Sequence, residues 1–383
     1  MAFQQILPLP NLNFQMNRVL THGEEACREE ELLEIAPKLQ RFNPKAWFEQ
    51  WNMLARRAET EDRLMHAAYY HRMSEFFLPE EAPEKSKAYD DFSRCFYAAT
   101  KNEQIEVFTI PYEGAPLSAM RLSAVEEKGV IVVHGGFDSF IEEFYLWVRT
   151  FRDAGYTVIM FEGPGQGRPM QAGLKMTHEW EKPVAAVLDF FELEGVTLIG
   201  ISLGGYLALR AAAYDPRIRH VVAWNVIWDA LRGFNRDKPE RFFAAIQDGR
   251  KMMINIIAAI TRKLDDMVDW LITHGMYVTG SETPFDHLYK FRHYQTKDLS
   301  PLIKQDVLLL AGENDHFVPV EFLELQEAAL TSARSVRSRL FTAEEGGDQH
   351  GQVGRLDLAT REILNWLDGL HMAGEPSESE EVA

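Results

Sequence analysis

Ser202 lies in Gly200-Ile201-Ser202-Leu203-Gly204, directly after the apolar run Val196-Thr197-Leu198-Ile199. This spacing fits the G-x-S-x-G nucleophile elbow, a serine held on a tight turn between a strand and a helix. Glycines two residues to either side suit a strained backbone that a neighbouring chain passes closely. A serine hydroxyl is a weak nucleophile and needs an adjacent base, which in turn needs an orienting acid. The acid is expected next along the chain, in Val307-Leu308-Leu309-Leu310-Ala311-Gly312-Glu313-Asn314-Asp315-His316-Phe317-Val318-Pro319, an apolar strand running into a polar turn. Asp315 is preferred to Glu313 because it sits farther into that turn, just before Phe317-Val318-Pro319. The base is expected after the last strand, where Glu344 to Gln352 supplies one histidine, His350. An imidazole with a pKa of ~6.5 takes and returns a proton near neutral pH.

Acyl chemistry also needs donors for an oxyanion, normally backbone N–H groups. One belongs to Leu203, the residue after the nucleophile. The other is expected from His134-Gly135-Gly136-Phe137-Asp138-Ser139, at Phe137 or, as the alternative, Gly136. His134 reads as a structural residue of that turn. The turn Glu162-Gly163-Pro164-Gly165-Gln166-Gly167 lacks the Lys-Ser/Thr of a phosphate loop and reads as a tight strand-to-loop connection. In Ala223-Trp224-Asn225-Val226-Ile227-Trp228-Asp229, the residues Trp224, Asn225, Trp228 and Asp229 are candidate substrate contacts at the sheet edge where open α/β folds bind ligands. Asp229 reads either as a second acid–base group or, with its neighbours, as packing between cap and sheet. His66, His71, His274, His287 and His293 have no paired ligand spacing, so the expected site holds no metal and no cofactor.

The elements that must position these residues follow from hydrophobic periodicity. Up to about residue 100 the pattern is helical: a charged amphipathic segment over Glu24 to Leu39, a helix entered at Asn43-Pro44 and running to Ala58, and helices over Glu61 to Phe77 and Pro83 to Ala99. Alternation begins at Gln104 to Ile110 and returns at Leu117 to Leu122, which predicts a hairpin. Apolar runs follow at Gly129 to Val133, Tyr156 to Phe161, Val196 to Ile199, Arg219 to Ala223, Asp306 to Leu310 and Ser338 to Phe341, mostly separated by helical patterns. Apolar strands alternating with helices predict a mostly parallel sheet covered on both faces. Helices over residues 230–300, including Met252 to Ile272 as one, interrupt the alternation and are expected to cap the sheet's carboxyl edge. The expected organisation is an N-terminal helical module (1–103), an α/β core (104–229 and 301–372), a cap (230–300) and a disordered acidic tail (373–383).

The chain has 383 residues, 46% of them hydrophobic, and a net charge of −18, with pI near 5.2. That balance argues against nucleic acid and anionic membranes as partners. Two cysteines, Cys27 and Cys95, fit a reducing cytoplasm and exclude a disulfide framework. No apolar run approaches the ~20 residues needed to span a bilayer, and the N-terminus lacks the basic start and apolar core of a signal peptide.

Elbow, acid turn, histidine loop and His-Gly-Gly turn in this order resemble the α/β-hydrolases over roughly residues 104–370. The helical N-terminal region and Gly135-Gly136-Phe137-Asp138-Ser139 resemble a subgroup that contains 2,6-dihydroxypseudooxynicotine hydrolase, fungal naphthopyrone-shortening pigment hydrolases and anthraquinone-pathway hydrolases of the AntI type. Phe137 stands where the subgroup usually has leucine. The resemblance implies cleavage of a carbon–carbon bond next to a ketone in an aromatic polyketide, a retro-Claisen reaction of pigment or anthraquinone biosynthesis. Ser202 would attack the ketone, His350 would act as base, Asp315 would hold the imidazole, and His350 or Asp229 would protonate the departing enolate. It also implies a homodimer, and a small-molecule substrate delivered by an acyl carrier protein. A carboxylesterase, thioesterase or lactonase would need the same three residues.

Overall fold

In the computed structural model, residues 2–374 are described. Eight strands form one sheet: β1 (Ile105–Ile110), β2 (Leu117–Leu122), β3 (Gly129–His134), β4 (Tyr156–Glu162), β5 (Val196–Ile201), β6 (Ile218–Trp224), β7 (Asp306–Gly312) and β8 (Ser335–Phe341). Their spatial order is β1-β2-β4-β3-β5-β6-β7-β8. The first two strands pair antiparallel, as do β2 and β4, and every later pairing is parallel. The fold is an α/β-hydrolase fold with a mostly parallel sheet.

The uninterrupted apolar runs are explained by burial on both sides of the sheet. Side chains alternate along each strand, so Ile131, Val133, Leu308 and Leu310 enter one core while Val132, Val307 and Leu309 enter the other. The first core is shared with the helices that precede β1: Trp47, Trp51, Phe92 and Phe96 pack in the same apolar cluster as the strand residues. Those helices therefore have no core separate from the sheet.

Asn43 caps the helix Pro44–Thr60 by accepting from the Ala46 N–H at 3.0 Å. Two helical expectations need correction. Residues Glu24 to Leu39 are not one segment, because Arg28 adopts an extended backbone and leaves a short helix, Glu29–Ile35, between two single turns. Met252 to Ile272 is two helices, Lys251–Leu264 and Asp266–Thr279. Asp265 ends the first and starts the second, its carboxylate accepting from Met267 N at 2.9 Å and Val268 N at 3.2 Å. A short acidic side chain competes for backbone N–H groups in this way and breaks a helix that apolar periodicity alone would continue. The part of the expected acidic tail from residue 375 onward lies outside the described residues. Among the described residues no helix is long and apolar enough to cross a membrane.

Candidate active site

The site is assembled at the carboxyl ends of five parallel strands, β3, β5, β6, β7 and β8. Ser202 follows β5 with φ of +61°, in the left-handed region that a non-glycine residue occupies at a cost of about 1–3 kcal/mol. The turn is tight enough that a Cβ on Gly200 would fall on the Gly204 carbonyl. Ser202 N–H donates to the Trp224 carbonyl at 2.8 Å, which ties the elbow to the end of β6.

His350, in the loop after β8, places Nε2 2.9 Å from Ser202 Oγ and Nδ1 2.7 Å from Asp315 Oδ2. Asp315, in the turn after β7, is held from three further directions. Its Oδ1 accepts from Phe317 N at 2.8 Å and Val318 N at 3.0 Å, and its Oδ2 from Asn225 Nδ2 at 3.0 Å. Asp315 and His350 are both buried. The structure thus brings together three side chains that lie up to 148 residues apart in sequence.

The turn after β3 meets the elbow through strand register. His134 pairs with Gly200, so the next residues of each strand run out side by side. A Cβ on Gly136 would sit 2.7 Å from Leu203 N and 2.9 Å from Ile201 O, a distance only glycine tolerates. Gln166 Nε2 donates to the Gly135 carbonyl at 2.9 Å and the Gly136 carbonyl at 2.8 Å. Neither Leu203 N–H nor Phe137 N–H has a hydrogen-bond partner among the described residues. His134 is fully buried with Nδ1 2.9 Å from the Gly135 carbonyl, and burial pulls its pKa down to about 4. It is a neutral structural imidazole.

Ser202 and His350 open onto a cavity of about 560 Å³. Its walls come from the cap, the sheet edge and the N-terminal helices, and include Phe14, Phe76, Phe137, Trp147, Trp270 and Phe291. Of the four candidate substrate contacts, Trp224 lines this cavity, with its indole N–H donating to Gln352 Oε1 at 2.6 Å. The other three lie away from its wall. Asn225 is buried against Asp315 rather than facing the cavity. Trp228 packs into the second core and its carbonyl accepts from Thr296 N–H at 3.0 Å. Asp229 caps the helix Ala230–Gly233, accepting from Arg232 N at 3.0 Å, and is absent from the cavity wall. Burial raises its carboxyl pKa, but the group is occupied in holding the start of the cap.

Sequence reasoning missed the helix Pro10–Leu20, which supplies Phe14 and Arg18 to the cavity. Its signal was present: Leu12, Met16, Val19 and Leu20 form an i, i+4, i+7, i+8 stripe behind a proline at the first turn. Phe14 stands 6.0 Å from the His350 ring, and Thr21 Oγ1 accepts from Gly354 N–H at 2.9 Å. The N-terminal region therefore braces the histidine loop. Elsewhere, Glu59, His71 and Cys95 bring potential metal-ligand atoms within 4.8 Å of one another. The Glu59 carboxylate is already taken up by Arg56 at 2.9 Å, Arg94 at 2.8 Å and His71 Nε2 at 2.7 Å.

With this sheet and this serine, histidine and aspartate at its carboxyl edge, the chain belongs to the alpha/beta hydrolase fold family, whose model matches residues 129–341, more than half of the chain. Among individual proteins it is similar to the 20-hydroxy-prefusarin hydrolase FUS2 of Gibberella moniliformis, at 28% identity over 93% of this chain and 95% of the relative. It is similar to the hydrolase acrC of Aspergillus aculeatus to the same 28%, over 94% of this chain and 96% of that one. Among solved structures, the 2,6-dihydroxy-pseudo-oxynicotine hydrolase shares the fold with a TM-score of 0.71 at 19% identity, covering 94% of this chain and 96% of that one. At 93–94% of this chain, each of these similarities extends into the region before β1.

Proposed function

We propose that this protein is a cytoplasmic serine hydrolase of secondary metabolism that cleaves a carbon–carbon bond next to a ketone in an aromatic polyketide, a retro-Claisen shortening. The observation that carries the reading is the hydrogen-bonded chain Ser202–His350–Asp315 opening onto a large cavity walled by aromatic rings. Full-length similarity to a relative named for hydrolysis of 20-hydroxy-prefusarin supports a secondary-metabolic substrate.

His350 Nε2 takes the proton as Ser202 Oγ adds to the ketone carbon, and Asp315 holds the imidazole in the required tautomer. The resulting oxyanion is held by the N–H groups of Leu203 and Phe137. Phe137 is favoured over Gly136 because it lines the cavity beside Ser202 and Gly136 does not, and its peptide is anchored at the Gly136 carbonyl by Gln166. In a trans peptide the Phe137 N–H then points away from that glutamine. Collapse of the adduct breaks the carbon–carbon bond and expels an enolate stabilised by a neighbouring carbonyl or phenol. His350 returns its proton to that fragment, so no second acid is required from Asp229. Water, activated by His350, then releases the acyl group from Ser202 as a carboxylic acid.

We further propose a homodimer. Met252, Ile256, Ile260 and Leu264 form a stripe along one face of Lys251–Leu264 and are 78%, 53%, 56% and 80% exposed. An apolar stripe of this kind supports association.

The deciding experiment incubates the protein with an aromatic poly-β-ketone, both free and tethered to an acyl carrier protein, and separately with simple esters. Mass spectrometry is expected to find a shortened polyketide and a released acid, and Ser202→Ala to lower that turnover by at least roughly a thousandfold while still binding the substrate. Ester turnover without shortening would overturn carbon–carbon cleavage in favour of an esterase, thioesterase or lactonase.

A further inference from the structure

His274 belongs to the cap helix Asp266–Thr279 and lines the same cavity as Ser202. Its Nδ1 lies 2.8 Å from Glu80 Oε1, on the loop between two N-terminal helices. Its ring stacks on Trp270 at 5.1 Å and 4°, and meets Phe137 edge-on at 5.4 Å and 85°. The residue is 8% exposed, and its Nε2 is buried with no hydrogen-bond partner among the described residues. Glu80 is ionised: burial works against its charge, but the His274 hydrogen bond and nearby Lys85 hold its carboxyl below the usual range. A carboxylate can only accept, so Nδ1 carries the donated proton, and in the neutral form of the ring Nε2 is then a bare acceptor. An unpaired buried acceptor is unfavourable, and among aromatic rings the group that satisfies it is a hydroxyl on a flat ligand.

We propose that the Glu80–His274 pair is a recognition point for a ligand hydroxyl, accepting a hydrogen bond at Nε2 from a phenol or enol whose ring system lies against Trp270 and Phe137. Glu80 is a positioning residue that sets the tautomer and the ring plane. The inference deepens the reading of this cavity as a polyketide pocket, since it assigns the substrate a hydroxyl remote from the bond that is cut. The selectivity has a physical cause: a site built to pair a hydroxyl loses that bond when the group is blocked.

The test measures binding of 2-naphthol and of 2-methoxynaphthalene to the full-length protein by calorimetry. These probes have the same ring system, but only the first can donate. The native protein is expected to bind the naphthol about fivefold more tightly. In His274→Phe, which keeps an aromatic ring at the stack, the two probes should bind alike, with the ether's affinity changed less than about twofold. His274→Gln retains an acceptor and should keep part of the preference. Equal affinities in the native protein would overturn the proposal, whether or not any variant folds, and so would a preference that survives in His274→Phe. Because only binding is read, either result leaves the carbon–carbon cleavage by Ser202 to be judged on its own assay.

Discussion

Asn225 Nδ2 donates at 3.0 Å to the same Asp315 Oδ2 that stands 2.7 Å from His350 Nδ1. Asn225 itself has φ of +87°, at the point where β6 ends and its N–H donates to the Leu310 carbonyl at 3.1 Å. One asparagine thus joins the strand edge to the acid, and the acid to the histidine. Replacing it with alanine removes a hydrogen bond to a buried carboxylate, an interaction worth about 1.5–3 kcal/mol. Asn225→Ala is expected to lower kcat about tenfold or more with KM within about threefold, read by steady-state kinetics. An unchanged kcat would show that Asp315 keeps its orientation through Phe317 and Val318 alone.

Gly136 supplies the second sharp test. A methyl group there meets backbone atoms of Leu203 and Ile201 at 2.7 and 2.9 Å, and backbone cannot yield as a flexible side chain can. Gly136→Ala is therefore expected to push the two N–H donors apart. Loss of one oxyanion donor costs roughly 100-fold or more in kcat. Melting curves run beside the kinetics separate this loss from unfolding, and a variant that folds with native kcat would remove Phe137 from the proposed mechanism.

Glu142 and Glu162 are buried between the N-terminal helices and the sheet, and burial drives their carboxyls up, to about 7 and about 8. The folded protein therefore retains protons that the unfolded chain releases near pH ~4.3. Below that pH both states are protonated and the two groups do not affect stability. Between it and about pH 8 the folded state binds more protons, so stability falls as pH rises, and above that range the loss is complete. Glu162→Gln abolishes one of these titrations. Its melting temperature is expected to fall less than the native protein's between pH 5 and pH 8.5, a difference of about 4 kcal/mol in stability. Parallel curves for the two proteins would contradict this.

The apolar stripe on Lys251–Leu264 is also testable. Ile256 and Ile260 are four residues apart and so share a helix face. Light scattering at micromolar concentration is expected to find the native protein dimeric and the Ile256→Lys, Ile260→Lys double variant monomeric. A native monomer would rule out the dimer.

Ser202, Asp315 and His350 were legible in the sequence because each belongs to a local pattern. A glycine-flanked serine after an apolar run, an aspartate in the turn after another run and a lone histidine in the next loop are all readable within about a dozen residues. The strands were legible in two ways: β1 and β2 by alternation, and β3 to β7 by the apolar runs that burial on both faces leaves, whereas the half-exposed β8 showed only its end, Ser338 to Phe341. The two readings of Asp229 stayed open in the sequence because an aspartate after a strand looks the same whether it serves as an acid or as a helix cap. In the structure Arg232 N–H takes its carboxylate.

What the sequence determined by itself, then, is the α/β layering and the turns that carry Ser202, Asp315 and His350, all written in short-range periodicity and turn chemistry. Tertiary structure alone decided which groups stand around them. Asn225 meets Asp315 across 90 positions, Thr21 meets Gly354 across 333, and Glu80 meets His274 across 194. No local pattern encodes such pairings, because a polar side chain carries no mark of its distant partner. They arise when packing of two apolar cores brings the N-terminal helices, the sheet edge and the cap around one cavity.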